Sequence, residues 1–159
     1  MRFIPQRNHV FGADYKLISD VASKIEEKEA AQGTHSLTEA ERVIDLVIRA
    51  WGLIENGGFQ YFYEQELDAE SVARAYEAIG CSRCAEIMRL SLSLFPDSVL
   101  RAGWDERVAF MQKNEEMFYN TSCLFWDANT ETEKRFAEFI RANVCSIPCW
   151  RPDDRSPAK

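Results

Sequence analysis

The sequence contains no apolar run of the roughly 20 residues that a membrane-spanning helix requires. Its first ten residues, MRFIPQRNHV, have neither the apolar segment nor the small-residue cleavage site of a signal peptide. Five cysteines are an odd number, which disfavours a closed disulfide framework. These absences together predict a cytoplasmic protein with reduced thiols and no membrane partner.

An excess of basic residues is also absent. The chain has 26 acidic residues against 19 basic ones, so its formal net charge is −7. Proteins that bind nucleic acid or anionic membranes without sequence preference do so through positive charge. The sign of the charge therefore disfavours both, and we predict no direct nucleic-acid binding.

Features of a catalytic centre are scarce. His9 and His35 are the only histidines, and neither belongs to an HExxH metal motif. Neither a phosphate-binding glycine loop nor a nucleophile motif occurs in the chain. We therefore predict no catalytic residue, no cofactor and no enzymatic activity.

The cysteines leave one alternative open. Cys81-x-x-Cys84 and Cys145-x-x-x-Cys149 would suit a four-thiolate zinc site. Cys84, however, lies on the apolar face of a predicted helix, and free cysteine is among the most buried residue types. We predict buried thiols and no metal, with a zinc site or a disulfide as the alternatives.

Helical patterns run through almost the whole chain, which is 46% hydrophobic and 12% aromatic. The predicted fold is all-α, with a single compact multi-helix domain at residues 1–149 and a proline-rich tail at residues 150–159. Capping boxes at Ser36–Glu39, Thr38–Glu41 and Thr130–Glu133 mark helix starts. The predicted helices span residues 13–30, about 38–56, 69–79, 82–95, 104 to about 118, and one that begins near 130.

The least ordinary stretch is IENGGFQYFYEQ, residues 54–65. A long helix that carries Trp51 should end at Glu55-Asn56. Gly57 should then take the left-handed conformation and Gly58 should let the chain turn at once. The result would be a tight helix–turn–helix corner filled by aromatic side chains. The residues of this predicted structural motif are Trp51, Glu55, Asn56, Gly57, Gly58, Phe59 and Phe62.

A functional alternative is that Glu55, Asn56, Gln60 and Tyr61 line a cleft at the corner.

These residues resemble a known family. The chain is similar to a bacterial family of small helical proteins, which is typified by a DNA-mimic protein and otherwise described as a domain of unknown function. The similarity is carried by Trp51, the Asn56-Gly57-Gly58-Phe59 motif, Gln60-Tyr61-Phe62, the helix ending Ile79-Gly80 and the late FWDANTETEKRFAEFIRAN segment. The similarity covers roughly residues 40–143. It departs after Phe62, where a polar turn is common in the family and this chain has EQELDAE.

The resemblance implies an all-helical fold and a protein-binding role. In the DNA-mimic branch, carboxylates arranged like DNA phosphates occupy the DNA-binding face of a transcription regulator. We expect the partner-binding residues after the corner, which are Gln60, Tyr61, Glu64, Glu66, Asp68 and Glu70. The alternatives are an immunity or antitoxin-type protein that neutralises a partner, and a small enzyme or zinc-binding domain.

Overall fold

The computed structural model describes residues 12–65, 67–100 and 103–151, and these ranges contain no β-strand. Eight α-helices are present there. They are α1 (Ala13–Gln32), α2 (Glu39–Tyr63), α3 (Ala69–Ala78), α4 (Ser82–Ser93), α5 (Asp97–Leu100), α6 (Trp104–Lys113), α7 (Glu115–Ala128) and α8 (Thr132–Ala142). The predicted all-α, compact single domain is confirmed. No described helix is both long and apolar enough to cross a lipid bilayer.

The domain boundary at residue 149 stays a prediction. The last turn of 3₁₀ helix is Val144–Ser146, and Trp150, in the predicted tail, packs half-buried against the core. Residues 152–159 lie outside the described part of the chain.

The start of α2 is set by one of the two capping boxes predicted there. The Thr38 hydroxyl accepts the Glu41 amide at 3.2 Å, and the Glu41 carboxylate accepts the Thr38 amide at 2.8 Å. The Ser36–Glu39 box is wrong, because Ser36 lies in a 3₁₀ turn and donates its hydroxyl to the Gly33 carbonyl. Gly33, at φ 83°, follows the last residue of α1.

A buried ion pair joins α1 to α2. Lys28 Nζ lies 2.6 Å from Glu41 Oε2, and the Glu41 side chain is fully buried. Burial raises the pKa of the Glu41 carboxyl, but hydrogen bonds from Lys28, the Thr38 backbone and Cys149 outweigh it, so the pKa is lowered. Glu41 thus caps α2, and the charge of Lys28 compensates its own inside the fold.

The prediction for residues 104–118 is wrong in its boundaries. The sequence predicts one helix that ends near Phe118. In the structure, α6 ends at Lys113 and a second helix, α7, continues to Ala128. Asn114 separates them, at φ −119° and ψ 31°, and its side-chain amide donates to the Phe110 carbonyl at 2.8 Å. Asparagine competes in this way with the backbone bonds that would continue a helix.

The capping box predicted at Thr130–Glu133 is also wrong. Residues Asn129–Glu131 form a 3₁₀ turn, and α8 begins at Thr132 without a side-chain cap. Thr132 is fully buried, with its hydroxyl 3.7 Å from Cys81 Sγ and 3.8 Å from Cys84 Sγ. The start of α8 is therefore packed against Cys84 of α4 and against Cys81, which directly precedes α4.

Aromatic rings fill the core between α2, α4 and α7. Phe59, Phe62, Phe118 and Phe125 have no exposed surface, and Tyr63 has 6%. The Phe59 and Phe125 rings lie 5.7 Å apart, and the Tyr63 and Phe118 rings 6.3 Å apart. The second part of α2 therefore runs antiparallel to α7, with the end of α2 beside the start of α7.

Candidate functional site

The Asn-Gly-Gly-Phe motif forms a kink inside α2. Gly57 (φ −152°, ψ 16°) and Gly58 (φ 64°, ψ −163°) leave the helical conformation, and the residues on either side are helical. The positive φ belongs to Gly58, so the prediction of a left-handed Gly57 is wrong. Gly57 is constrained by space instead, because a Cβ there would lie 2.5 Å from the Cβ of Tyr61.

Two side chains of α7 bind the backbone at this kink. The Phe59 amide donates to Ser122 Oγ at 2.9 Å, and Trp126 Nε1 donates to the Ile54 carbonyl at 3.2 Å. An interruption in a helix leaves such backbone groups without their intrahelical partners. Sequence reasoning missed Ser122 and Trp126, because α7 was not predicted there. The available signal was their helical spacing from Phe118.

The polar motif residues are engaged close to the backbone. Asn56 Nδ2 donates to the Gly52 carbonyl at 2.6 Å, and Asn129 Nδ2 donates to Glu55 Oε1 at 3.0 Å. Asn56 therefore closes the first segment of α2, and Glu55 is half-buried against the turn before α8. The functional alternative was that Glu55 and Asn56 line a cleft and face a ligand. In the structure, both side chains instead bond to other groups of the protein.

The residues predicted to bind a partner lie at the end of α2 and the start of α3. Tyr61 is 42% exposed and Gln60 is half-buried. Glu64 is exposed, and its carbonyl accepts Trp104 Nε1 from α6 at 3.1 Å. Glu66 lies outside the described residues.

Asp68 and Glu70 have partners of their own. Asp68 Oδ2 accepts the Ser71 amide at 2.8 Å as the cap of α3, and hydrogen bonds from Ser71 lower the pKa of the Asp68 carboxyl. Glu70 lies 3.1 Å from Arg89 and 3.7 Å from Arg74. The predicted acidic patch is therefore partly neutralised at its α3 end, whereas Glu64 is exposed at the end of α2.

A second acidic segment lies next to the first. Residues 50–73 and residues 114–133 are the two longest stretches without lysine or arginine, and each contains five acids. The first stretch holds the kink and the second holds α7, which pack together. Because the helices run antiparallel, Glu64 lies at the same end of the pair as Glu115 and Glu116.

The outer face of α7 carries unusually exposed apolar side chains. Tyr119 is 60% exposed, Met117 44% and Leu124 42%. Glu116 and Asp127 are exposed on the same side of the helix. We define the outer face of α7 by these five residues, and it combines apolar surface with negative charge.

The cysteines are placed in different surroundings. Cys81 and Cys84 are buried beside Thr132, Cys149 is half-buried and Cys145 is exposed. Burial raises the pKa of Cys84 to about 11, and burial with the nearby Glu41 raises that of Cys149 to about 12. Within the described ranges, no three His, Cys, Asp or Glu residues are grouped so that they could hold a metal.

Two grooves lie away from the kink. One, of about 680 Å³, is lined by α1 and the C-terminal segment at Pro148 and Cys149. The other, of about 420 Å³, lies between the start of α2 and Phe139 of α8. Neither contains the residues that were predicted to bind a partner.

The sequence that forms the kink and α7 matches a known protein family. The profile of the DMP19-like proteins matches residues 35–143, which is more than half of the chain. The chain belongs to the DMP19-like family. This is a DNA-mimic family, and the matched range contains both the kink and α7. No curated protein and no solved structure matches the chain.

Proposed function

We propose that this DMP19-like protein is a non-enzymatic binding module, which occupies the DNA-binding face of a regulator through an acidic surface. Family membership is the observation that carries the proposal. The role needs carboxylates where DNA would present phosphates, and a protein partner whose binding face is basic.

The distribution of charge supports this role. The two lysine- and arginine-free stretches meet where α2 packs on α7, so acids gather there by folding. Glu64, Glu116 and Asp127 are exposed acids of these stretches. A surface of one sign steers a partner of the opposite sign and rejects one of the same sign.

The decisive experiment is competition. A regulator captured with this protein would be bound to its labelled operator DNA and titrated with the protein at low salt. Displacement is expected, and it should weaken as salt rises, because exposed charges are screened over about 8 Å at physiological ionic strength. If the regulator binds DNA and this protein simultaneously, DNA mimicry is contradicted. A toxin-neutralising role would then be the favoured function.

A charge-reduced variant locates the surface. Combining Glu64→Gln, Glu116→Gln and Asp127→Asn should slow association about tenfold at low salt, with a smaller effect on dissociation, since charges mainly steer the encounter. The matched control removes three exposed acids from α1, α4 and α8, by Glu27→Gln, Glu86→Gln and Glu138→Gln. Equal slowing in both triple variants would mean that only net charge matters.

A further inference from the structure

We infer that the outer face of α7 is a docking surface for arginine side chains of a basic protein. This inference rests on the proposed function and deepens it, because it names the partner's chemistry and the helix that recognises it. The candidate surface predicted from sequence lies at the end of α2 and the start of α3, whereas this surface is on α7, which packs against α2.

Tyr119 is the most exposed large apolar side chain within the described ranges, at 60%. Its ring lies 6.2 Å from the Trp126 ring, at an angle of 77°. Trp126 is in turn tied to the Ile54 carbonyl of α2. The ring therefore rests against a fixed neighbour and leaves more than half of the side chain open to a partner.

Two acidic residues lie one helical turn before this ring. Glu115 and Glu116 precede Tyr119 by four and three residues, the spacings at which side chains are neighbours on a helix surface. A guanidinium stacks on an aromatic face and donates two parallel hydrogen bonds to a carboxylate. An ammonium has no flat surface to stack, so a ring beside carboxylates favours arginine over lysine.

The charge of the face decides between possible occupants. Between Asn114 and Glu133 there are acids and no lysine or arginine. A second copy meeting this face across a two-fold axis would bring Glu116 and Asp127 against like charges. Nucleic acid and anionic lipid are disfavoured by the same sign. A basic protein surface complements both the acids and the apolar side chains Met117 and Leu124.

The kink holds the face in position. Ser122 and Trp126, on the inner side of α7, bind the backbone of α2 on either side of the two glycines. A helix held in this way loses little further freedom when a partner docks, which favours affinity. The Asn-Gly-Gly-Phe motif therefore contributes to recognition by placing α7.

Two synthetic peptides of equal charge, nona-arginine and nona-lysine, test the inference. Fluorescence anisotropy at low salt should show nona-arginine binding about two- to five-fold more tightly, the difference expected of one exposed cation–π contact. Tyr119→Leu should reduce this preference, because only bonding to the carboxylates is left to favour arginine, whereas Tyr119→Phe, which keeps the ring, should retain it in full. Amide shifts in a heteronuclear NMR titration should concentrate in residues 115–127, and the same spectra check that each variant is folded.

The outcomes separate the two proposals. Equal binding of both peptides, or a preference that is undiminished in Tyr119→Leu, would overturn arginine recognition by this face and leave operator displacement as an independent result. A dimer in sedimentation experiments that dissociates in Leu124→Glu would show that a second copy covers the face, which also overturns the inference. Operator displacement that fails while the arginine preference is present would overturn the proposed function alone.

Discussion

Replacing Gly58 by alanine tests the kink directly. At φ 64° and ψ −163° this residue occupies a backbone region that is essentially restricted to glycine. An added Cβ would also lie 2.5 Å from Ser122 Oγ and 3.1 Å from Ser122 Cβ. Because both contacts belong to α7, the substitution strains the backbone and pushes away the side chain that binds the Phe59 amide.

Two terms set the size of the effect. The backbone strain costs about 1–3 kcal/mol, and a buried amide that loses its acceptor costs about 1–3 kcal/mol more. A loss of about 4 kcal/mol lies in the middle of this sum. For a domain of this length it lowers Tm by roughly 8–16 °C.

Urea unfolding measures the loss of stability in Gly58→Ala, in Ser122→Ala, in the double variant of these two, and in one control. Gly58→Ala and Ser122→Ala should each destabilise, and the double variant should lose about 1–3 kcal/mol less than the sum, because both changes disrupt one contact. Gly12→Ala is the matched control, since its nearest neighbour, Glu133 Oε1, is 3.8 Å from the added Cβ. It should cost less than about 1 kcal/mol.

Two results would refute this reasoning. A Gly58→Ala protein within about 0.5 kcal/mol of wild type, the range of ordinary surface substitutions, would mean that the kink does not need a positive φ. Full additivity of Gly58→Ala and Ser122→Ala would mean that the added Cβ does not meet α7.

Three further predictions concern stability and thiol chemistry. Trp126→Phe, which keeps the ring and removes the donor to the kink, should lower the free energy of unfolding by about 1–3 kcal/mol; an unchanged urea midpoint would contradict it. Lys28→Met should cost about 3–5 kcal/mol at neutral pH, because it leaves the Glu41 carboxylate buried and unpaired. The lowered pKa of Glu41 stabilises the wild type above the ordinary value of 4.5, and that contribution is lost as the pH falls through the lowered value. Lys28→Met should therefore lose less stability on acidification than wild type, and identical urea midpoint–pH profiles would disprove the role of the pair. Iodoacetamide at pH 8 should alkylate the exposed Cys145 well before Cys84, whose pKa is raised to about 11; equal rates by mass spectrometry would show that Cys84 is accessible.

Local patterns were sufficient where a single segment carries the whole signal. The Thr38–Glu41 box and the buried stripe of Ile44, Val47 and Ile54 in α2 appear where helical spacing and capping predict them. The same rules were wrong at Ser36 and at Thr130. At each, the predicted capping residue itself lies in a 3₁₀ turn, and the α-helix that follows begins without that side chain as its cap.

The kink shows where local reasoning stops. Two adjacent glycines predicted an interruption after Asn56, and the interruption is there. Which glycine takes positive φ depends on α7, because only Ser122 and Trp126 supply the bonds to Phe59 and Ile54. These partners are more than 60 residues away along the chain, so no pattern around the motif contains them.

The candidate surface, too, was predictable from sequence only in part. The order of the residues by itself determined a helical chain with excess negative charge, since helical spacing, capping residues and net charge can all be read from it. Only the tertiary structure decided which acids are open. Folding brings Arg89 of α4 onto Glu70 of α3, and leaves the outer face of α7 uncovered beside the end of α2. The physical reason is that charge pairing and exposure depend on distances between segments, which the order of residues does not contain.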